Sequence, residues 1–457
     1  MLPALDPCPV SDAAIEELVA WMGDPNRSRA GNPRIPAGFT YLGQFIDHDI
    51  TFDPTTKVDA DVDLEALVNF RTPRLDLDSV YGSGRAVQPY LYDWDAEPAG
   101  VKLLIGRSQV EGEGEIADLP RNAQGRALIG DARNDETAIV AQLHLLFLRF
   151  HNAVVDRLHG EGTIRRRDKL FDEAQRLVRW HYQWIVVHEF LPAVVGAVTA
   201  REVLPPPEDG AAPTVNRRLF EWKKDPFIPV EFSGAAYRFG HSMVRPEYDI
   251  KRIPVGAGET TAIVRPVPLF PRLAGFRRLR ESAVIDWERF FALPGAQHPP
   301  QVSQKIDTAI VAPLFELPGE VRRHRELPRR NLQRGRALGV PSGQAIAGLL
   351  EESLLSDAEL ELQHMPDTGE ELMGAAPLWF YILCETSRAV DSQGRPEPGR
   401  HLGPVGGRLV AEVLAGLLEG DPSSYLNSDP PWQPRELGTD GNFTMADLVR
   451  VAQGEAV

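Results

Sequence analysis

Residues 43–52, Gly-Gln-Phe-Ile-Asp-His-Asp-Ile-Thr-Phe, hold the side chains best suited to chemistry. In a helix, Gln44, Asp47 and His48 stand at i, i+3 and i+4 and share one face. Asp49 is turned about 100° from His48 and can serve a different site. An imidazole that titrates near neutrality can take and return a proton, and an amide on the same face can hold the molecule that supplies it. The apolar neighbours Phe45, Ile46, Ile50 and Phe52 indicate a buried segment, in which two carboxylates and an imidazole require partners. A cap or a salt-bridge cluster is the plainer reading of this stretch alone.

Three further segments carry polar groups in patterns that chemistry uses. Residues 71–82 (Arg-Thr-Pro-Arg-Leu-Asp-Leu-Asp-Ser-Val-Tyr-Gly) place Thr72, Asp76 and Asp78 in a short oxygen-rich loop. Such a loop suits a hard cation such as Ca²⁺, although Asp-x-Asp-Ser is also ordinary turn chemistry and the EF-hand pattern is absent. Residues 130–137 (Gly-Asp-Ala-Arg-Asn-Asp-Glu-Thr) open a long helix, with Asp131 or Asn134 as its cap and Arg133 at its mouth. Residues 236–243 include Arg238 and His241, and 327–336 form a polar, basic connection containing Asn331 and Arg334. His144 and His151 recur seven residues apart, as do His181 and His188. Two turns separate the members of each pair by about 10 Å, so core or interface positions suit them better than a shared metal.

The elements that must position these groups are mostly helical. Apolar spacing predicts helices over 11–22 (capped by Ser11), 41–52, 130–158, 166–194, 230–243, 285–293, 299–311, 345–363, 376–387 and 404–419. Residues 24–38 read as a loop, 203–214 as a surface linker, and 95–128 as a long irregular connection with a small hairpin. Residues 247–280 have no clean period, and turn residues return beyond 421. The expected fold class is mainly α: one large domain over 1–457, with long irregular loops and few short strands.

Composition narrows the classes. The chain has 457 residues, 43% hydrophobic and 25% charged, which is ordinary for a globular protein. A net charge of −16 argues against nucleic acid or an anionic membrane as a general partner. Two cysteines, Cys8 and Cys384, exclude a disulfide framework. No apolar run reaches membrane-span length by inspection, and the first residues show no secretory pattern, so the preferred expectation is a cytoplasmic protein of bacterial type, with export lacking a visible signal as the alternative.

The four segments together, in this order, resemble the animal-type haem peroxidase superfamily of myeloperoxidase, lactoperoxidase and peroxidasin. The matching patterns are Gly-Gln-x-x-Asp-His-Asp, Thr-x-x-x-Asp-x-Asp-Ser-x-Tyr-Gly, Gly-Asp-x-Arg-x-x-Glu and Arg-x-Gly-His. Leu-Pro-x-x-Asn-x-x-Arg at 327–334 and Leu-Gly-Pro-Val-Gly-Gly at 402–407 extend the match. The resemblance implies a helical fold around a buried haem b and reduction of hydrogen peroxide at the expense of a small electron donor. It implies catalytic roles for His48, Arg133 and Gln44, with His241 as the iron ligand and Asn331 accepting its other ring N–H. Arg238 and Arg334 would border the haem. Asp47 and Glu136 match carboxylates that become esterified to haem in mammalian relatives. An ester through either residue is one reading, and hydrogen bonding without covalency is the other. Thr137 stands where myeloperoxidase has a methionine, so a sulfonium link is not expected. The same resemblance implies calcium ligands at Asp49, Thr72, Arg74 (through its carbonyl), Asp76 and Asp78, the last replacing a serine.

Three alternatives follow. A fatty-acid dioxygenase of the same superfamily needs a tyrosine three residues before the iron ligand, where this chain has Arg238, with Tyr237 one residue off. A non-catalytic haem- or calcium-binding interaction protein would be expected to lose Gln44, His48 or Arg133, which are all present. A metal-only hydrolase would leave His241 and Asn331 unexplained.

Overall fold

In the computed structural model, residues 2, 4–51, 71–110, 114–206, 213–254, 262–318 and 325–454 are described. Helices dominate. The first, α1 (Asp12–Gly23), is capped by Ser11, whose side chain accepts from the Ala14 N–H. Strand β1 (Gly31–Pro36) follows, where a loop is expected from the proline and glycine content of 24–38. It pairs antiparallel with β6 (Val302–Gln304), so prolines at an edge are tolerated there.

Helix α2 (Gly38–Ile50) carries the first cluster of polar residues. It begins earlier than the expected 41–52, and Phe52 lies outside the described residues. A Cβ on Gly38 would sit 2.5 Å from the Phe291 ring, so only glycine lets the helix start this close to its neighbour. Helix α3 (Ala138–Gly160) is capped by Thr137, whose side chain accepts from Val140 N–H. A 3-10 turn, Ala132–Asp135, precedes it and is capped by Asp131. By length and composition α3 could cross a membrane, but 83% of its most apolar window is buried inside the protein, as in a core helix. Helix α4 (Arg167–Ile185) continues through a π-turn, Val186–Phe190, into a short helix ending at Val195.

Strands come as two-stranded antiparallel ribbons among the described residues. The expected hairpin within 95–128 is β2 (Gly106–Val110) with β3 (Gly114–Asp118). A second hairpin, β4 (Glu247–Pro254) with β5 (Ala262–Pro268), occupies the stretch that lacked a period.

Several expected helices differ. The segment 230–243 is not one helix: a short piece, Val230–Gly234, ends at Ala235 (φ −139°), and Ala236–Met243 forms a 3-10 helix. Residues 299–311 are not helical; they contain β6. Helical structure in 285–293 is a single 3-10 turn at Trp287–Arg289. In 345–363 it is confined to Gly343–Leu349 and a 3-10 turn opening at Leu362. Conversely, the basic connection 327–336 is helix α5 (Leu327–Ala337), with proline in its first turn. Helices α6 (Leu378–Glu385) and α7 (Pro404–Glu419) fall where expected. Helix α8 (Met445–Ala452) follows within the stretch beyond 421 that reads as turns. The 203–214 linker begins as the end of a helix, Ala197–Val203, and residues 207–212 of it lie outside the described residues.

One apolar core runs from Leu2 to Ala452. Helix α2 packs within it against α3 and against the 3-10 helix Ala236–Met243. That packing brings the 43–52 and 236–243 segments together.

Candidate active site

His48 is 5% exposed on α2, and its Nδ1 lies 2.9 Å from Asn134 Oδ1. Gln44, on the same face, donates from Nε2 to Glu136 Oε2 at 3.1 Å, tying the helix to the 130–137 segment. The Thr51 hydroxyl donates to Asp47 Oδ1 at 3.1 Å. Gln44, Asp47 and Glu136 all keep accessible surface, although α2 is otherwise mostly buried.

Arg133 arrives at the end of this helix. Its Nη2 donates to the His48 carbonyl at 3.1 Å and to the Thr51 carbonyl, and it pairs with Asp131 at 2.8 Å. These contacts satisfy carbonyls at a helix C-terminus, where a cation is favoured. Burial opposes the charge on Asp131, but Arg133, His48 and Arg71 around it hold its carboxyl well below the usual range.

On the facing element, Asn331 Nδ2 lies 2.8 Å from His241 Nδ1. In this orientation the amide donates to Nδ1; turned over, its oxygen would accept the Nδ1–H and leave the Nε2 lone pair for a ligand bond. Burial, then the cations Arg238 and Arg330, push the His241 pKa down to about 3, so the ring is neutral. A 3-10 helix has three residues per turn, so Arg238 lies directly over His241 on one face. Burial and then Arg334 depress Arg238 to about 10, Asp47 being the one opposing charge among the causes. Arg238 Nε is sealed from solvent and has no hydrogen-bond partner among the described residues.

Both His241 and Arg238 are strongly desolvated, yet each keeps accessible surface. Asp47 of α2 acts electrostatically on Arg238, and the cations Arg238 and Arg330 act on His241. A neutral imidazole with cations around it fits an iron porphyrin bearing two carboxylates.

The oxygen-rich loop lies behind α2. Asp49 is fully buried; its carboxylate accepts from Leu77 N–H (3.1 Å), Ser79 N–H (3.3 Å) and Ser79 Oγ (3.2 Å). The Thr72 hydroxyl lies 3.1 Å from Asp76 Oδ2 and 2.6 Å from Asp78 Oδ2. Leu77 adopts φ +60°, a left-handed conformation unusual for leucine that the loop imposes between Asp76 and Asp78. Burial, then Asp76 and Asp78, push the Asp49 carboxyl up to about 8, and burial and Asp78 push Asp76 to about 6. Arg74 reaches Asp421 at 3.8 Å with its side chain. The side chains are not closed around a point: among the described residues no three His, Cys, Asp or Glu are arranged to hold a metal.

Asn134, read from sequence as a cap, is instead the partner of His48, while Asp131 and Thr137 do the capping. His151 bonds Tyr81 Oη and the Val101 carbonyl, and His181 the Leu177 carbonyl; both are core histidines as expected.

A mainly helical domain that packs the helix of His48 against the element of His241, with cations beside the second imidazole, suits a buried-cofactor protein. Residues 63–353 match the animal haem peroxidase family model, and the chain belongs to that family. The matched span includes the oxygen-rich loop, the 130–137 segment, His241 and Asn331, and begins after α2. A peroxidase-like protein of Margaritifera margaritifera is 30% identical over 46% of this chain and 32% of its own length. Thyroid peroxidase of Rattus norvegicus is 27% identical over 79% of this chain and 39% of its own length. The chain thus spans about a third of the length of such relatives. Among solved structures, peroxidase A from Dictyostelium discoideum shares the fold at TM-score 0.62, with 15% identity over 96% of this chain and 89% of that one. A fatty acid alpha-dioxygenase of Arabidopsis thaliana does so at TM-score 0.64, with 14% identity over 98% and 75%.

Proposed function

We propose that the chain is a haem peroxidase that reduces hydrogen peroxide and oxidises a small donor such as a halide, thiocyanate or a phenol. The observation that supports this reading is the packing of α2, which carries His48, against the 3-10 helix that carries the neutral, cation-flanked His241. His241 would hold the iron through Nε2, with Asn331 fixing the ring, and Arg238 and Arg334 would receive the haem carboxylates. Bound haem supplies the redox centre for the two-electron reduction of peroxide. His48 takes a proton from one peroxide oxygen and returns it to the departing one. Gln44 orients the peroxide, and Arg133 contributes positive charge beside His48. The dioxygenase reading finds less support: Tyr237 stacks on Phe232 at 4.6 Å and lies a third of a turn from the position over His241.

The test is an optical spectrum of haem-supplied protein beside His241→Ala. The expected result is a Soret band that the variant loses or shifts, with peroxide-dependent oxidation of iodide or a phenol in the wild type alone. No haem uptake by the wild type overturns the reading.

The loop around Asp49, Thr72, the Arg74 carbonyl, Asp76 and Asp78 is read as a calcium site. Carboxylates pushed upward by burial and then by one another are relieved by a divalent cation. Metal analysis should find about one calcium per chain. Removal by a chelator should lower the thermal midpoint of the wild type and leave Asp49→Asn unmoved. Calcium-free protein of unchanged stability refutes the site.

A further inference from the structure

Asn134 stands between two imidazoles. Its Oδ1 is 2.9 Å from His48 Nδ1, and its Nδ2 is 3.0 Å from His144 Nδ1. Asn134 and His144 are 0% exposed. His144 also packs edge-on against Phe45 of α2, with ring centroids 6.0 Å apart, and its Nε2 has no hydrogen-bond partner among the described residues.

The donor and acceptor rules then propagate along the chain. A neutral ring can accept at Nδ1, and burial keeps His144 neutral, with its pKa down at about 3. The Asn134 amide is oriented with its nitrogen toward His144, which takes the N–H at Nδ1. An amide whose nitrogen is committed to His144 presents only its oxygen to His48. An amide oxygen accepts, so His48 must donate from Nδ1. The hydrogen of the neutral His48 ring is thereby held on Nδ1 and the lone pair on Nε2.

The reversed chain, with the amide nitrogen on His48, would work against proton transfer. It would leave the hydrogen on Nε2, and the ring could not become protonated on Nδ1 without losing its bond to the amide. In the observed arrangement, a proton gained at Nε2 leaves the Nδ1–H···Oδ1 bond intact. The ring can cycle between neutral and cationic forms without rearrangement of its partner.

We propose that Asn134, backed by His144, is a positioning pair that fixes His48 as the Nδ1–H tautomer with a basic Nε2. The inference rests on the reading of His48 as the proton-transfer base. It gives roles to two residues that otherwise read as a cap and a core histidine. Neither would touch the peroxide; both act through His48.

The tautomer is measured directly in the full chain, labelled with ¹⁵N-histidine, without added haem. The His48 signals are those lost in His48→Ala. The expected result is an Nδ1–H tautomer in the wild type and a shift toward Nε2–H in Asn134→Val. In the haem-loaded protein, cyanide association requires removal of a proton from HCN, whereas carbon monoxide association with the reduced protein does not. Asn134→Val should slow cyanide association about 10- to 100-fold and leave carbon monoxide unchanged. Asn134→Asp, which still accepts from Nδ1–H, should restore the cyanide rate.

An Nε2–H tautomer in wild-type His48 overturns the proposal without need of any variant that must fold. Equal slowing of both ligands also overturns it, because a merely structural loss acts on both. If the wild type shows the Nδ1–H tautomer but takes up no haem, the peroxidase reading fails and the positioning of His48 stands.

Discussion

His48 and Asp49 are adjacent in sequence yet serve different faces of one helix, His48 toward Asn134 and Asp49 toward Leu77 and Ser79. That division follows from helical geometry and was legible from residue order alone. The role of Asn134 was not, because an asparagine ahead of a helix is chemically fitted to cap it. Only the fold shows that Thr137 and Asp131 already fill those positions. Asp47 and Glu136 have different partners: Asp47 is bonded by Thr51, and Glu136 by Gln44. Both keep accessible surface, as a group that is to react with haem must. At least one ester to haem is therefore predicted after peroxide treatment. Intact-mass spectrometry under denaturing conditions should find haem retained on the wild type and released from the Asp47→Asn, Glu136→Gln double variant. Freely extractable haem from the wild type would show that the two carboxylates only hydrogen-bond.

At the scale of elements, the apolar helices α1, α6 and α7 were readable because their buried faces follow the helical period. Helix α5 was not, because charged pairs join it to its neighbour: Arg329 to Glu16, and Arg336 to Asp12 at 2.6 Å. Its basic residues suggest a connection when read alone. The 3-10 character of 236–243 was equally hidden, because the two helix types draw on similar residues. That difference places Arg238 over His241. Helix α7 provides a prediction for pH. Glu385 accepts from Val405 N–H at 3.0 Å and from Gly406 N–H at 3.1 Å, closing the start of α7 from a neighbouring helix. Burial raises its carboxyl from 4.5 to about 7 despite these bonds. The folded state thus binds the proton more tightly than the unfolded chain. Its contribution to stability is complete below about pH 4.5 and falls as pH rises to about 7. In Glu385→Gln this pH-dependent loss should vanish. Thermal midpoints at pH 5 and pH 8 should show the wild type declining relative to the variant; a constant difference would exclude the titration.

At the scale of the whole molecule, the core depends on a late segment whose turns and prolines concealed its importance. Helix α8 packs on α3, and its start is secured by reciprocal bonds between Thr444 and Asp447. Glu189, just beyond α4, accepts from Met445 N–H at 2.7 Å. Phe443 is fully buried between Phe150 of α3 and His181 of α4, at 5.5 and 4.5 Å between ring centroids. Trp432 adds contacts to Trp180, His181 and Trp184 of α4. The segment therefore covers apolar surface of α3, the same helix whose first turns follow Asn134 and Glu136. Removing the Phe443 ring leaves a cavity at this junction, and such a substitution costs about 3–5 kcal/mol. Phe443→Ala should lower the urea midpoint by a corresponding amount. Its haem spectrum at low urea should be unchanged, because Phe443 meets α3 and α4 and makes no contact with His48 or His241. A shifted Soret band at full folding would instead show that the position of α3, and with it Asn134, is set from the far end of the chain.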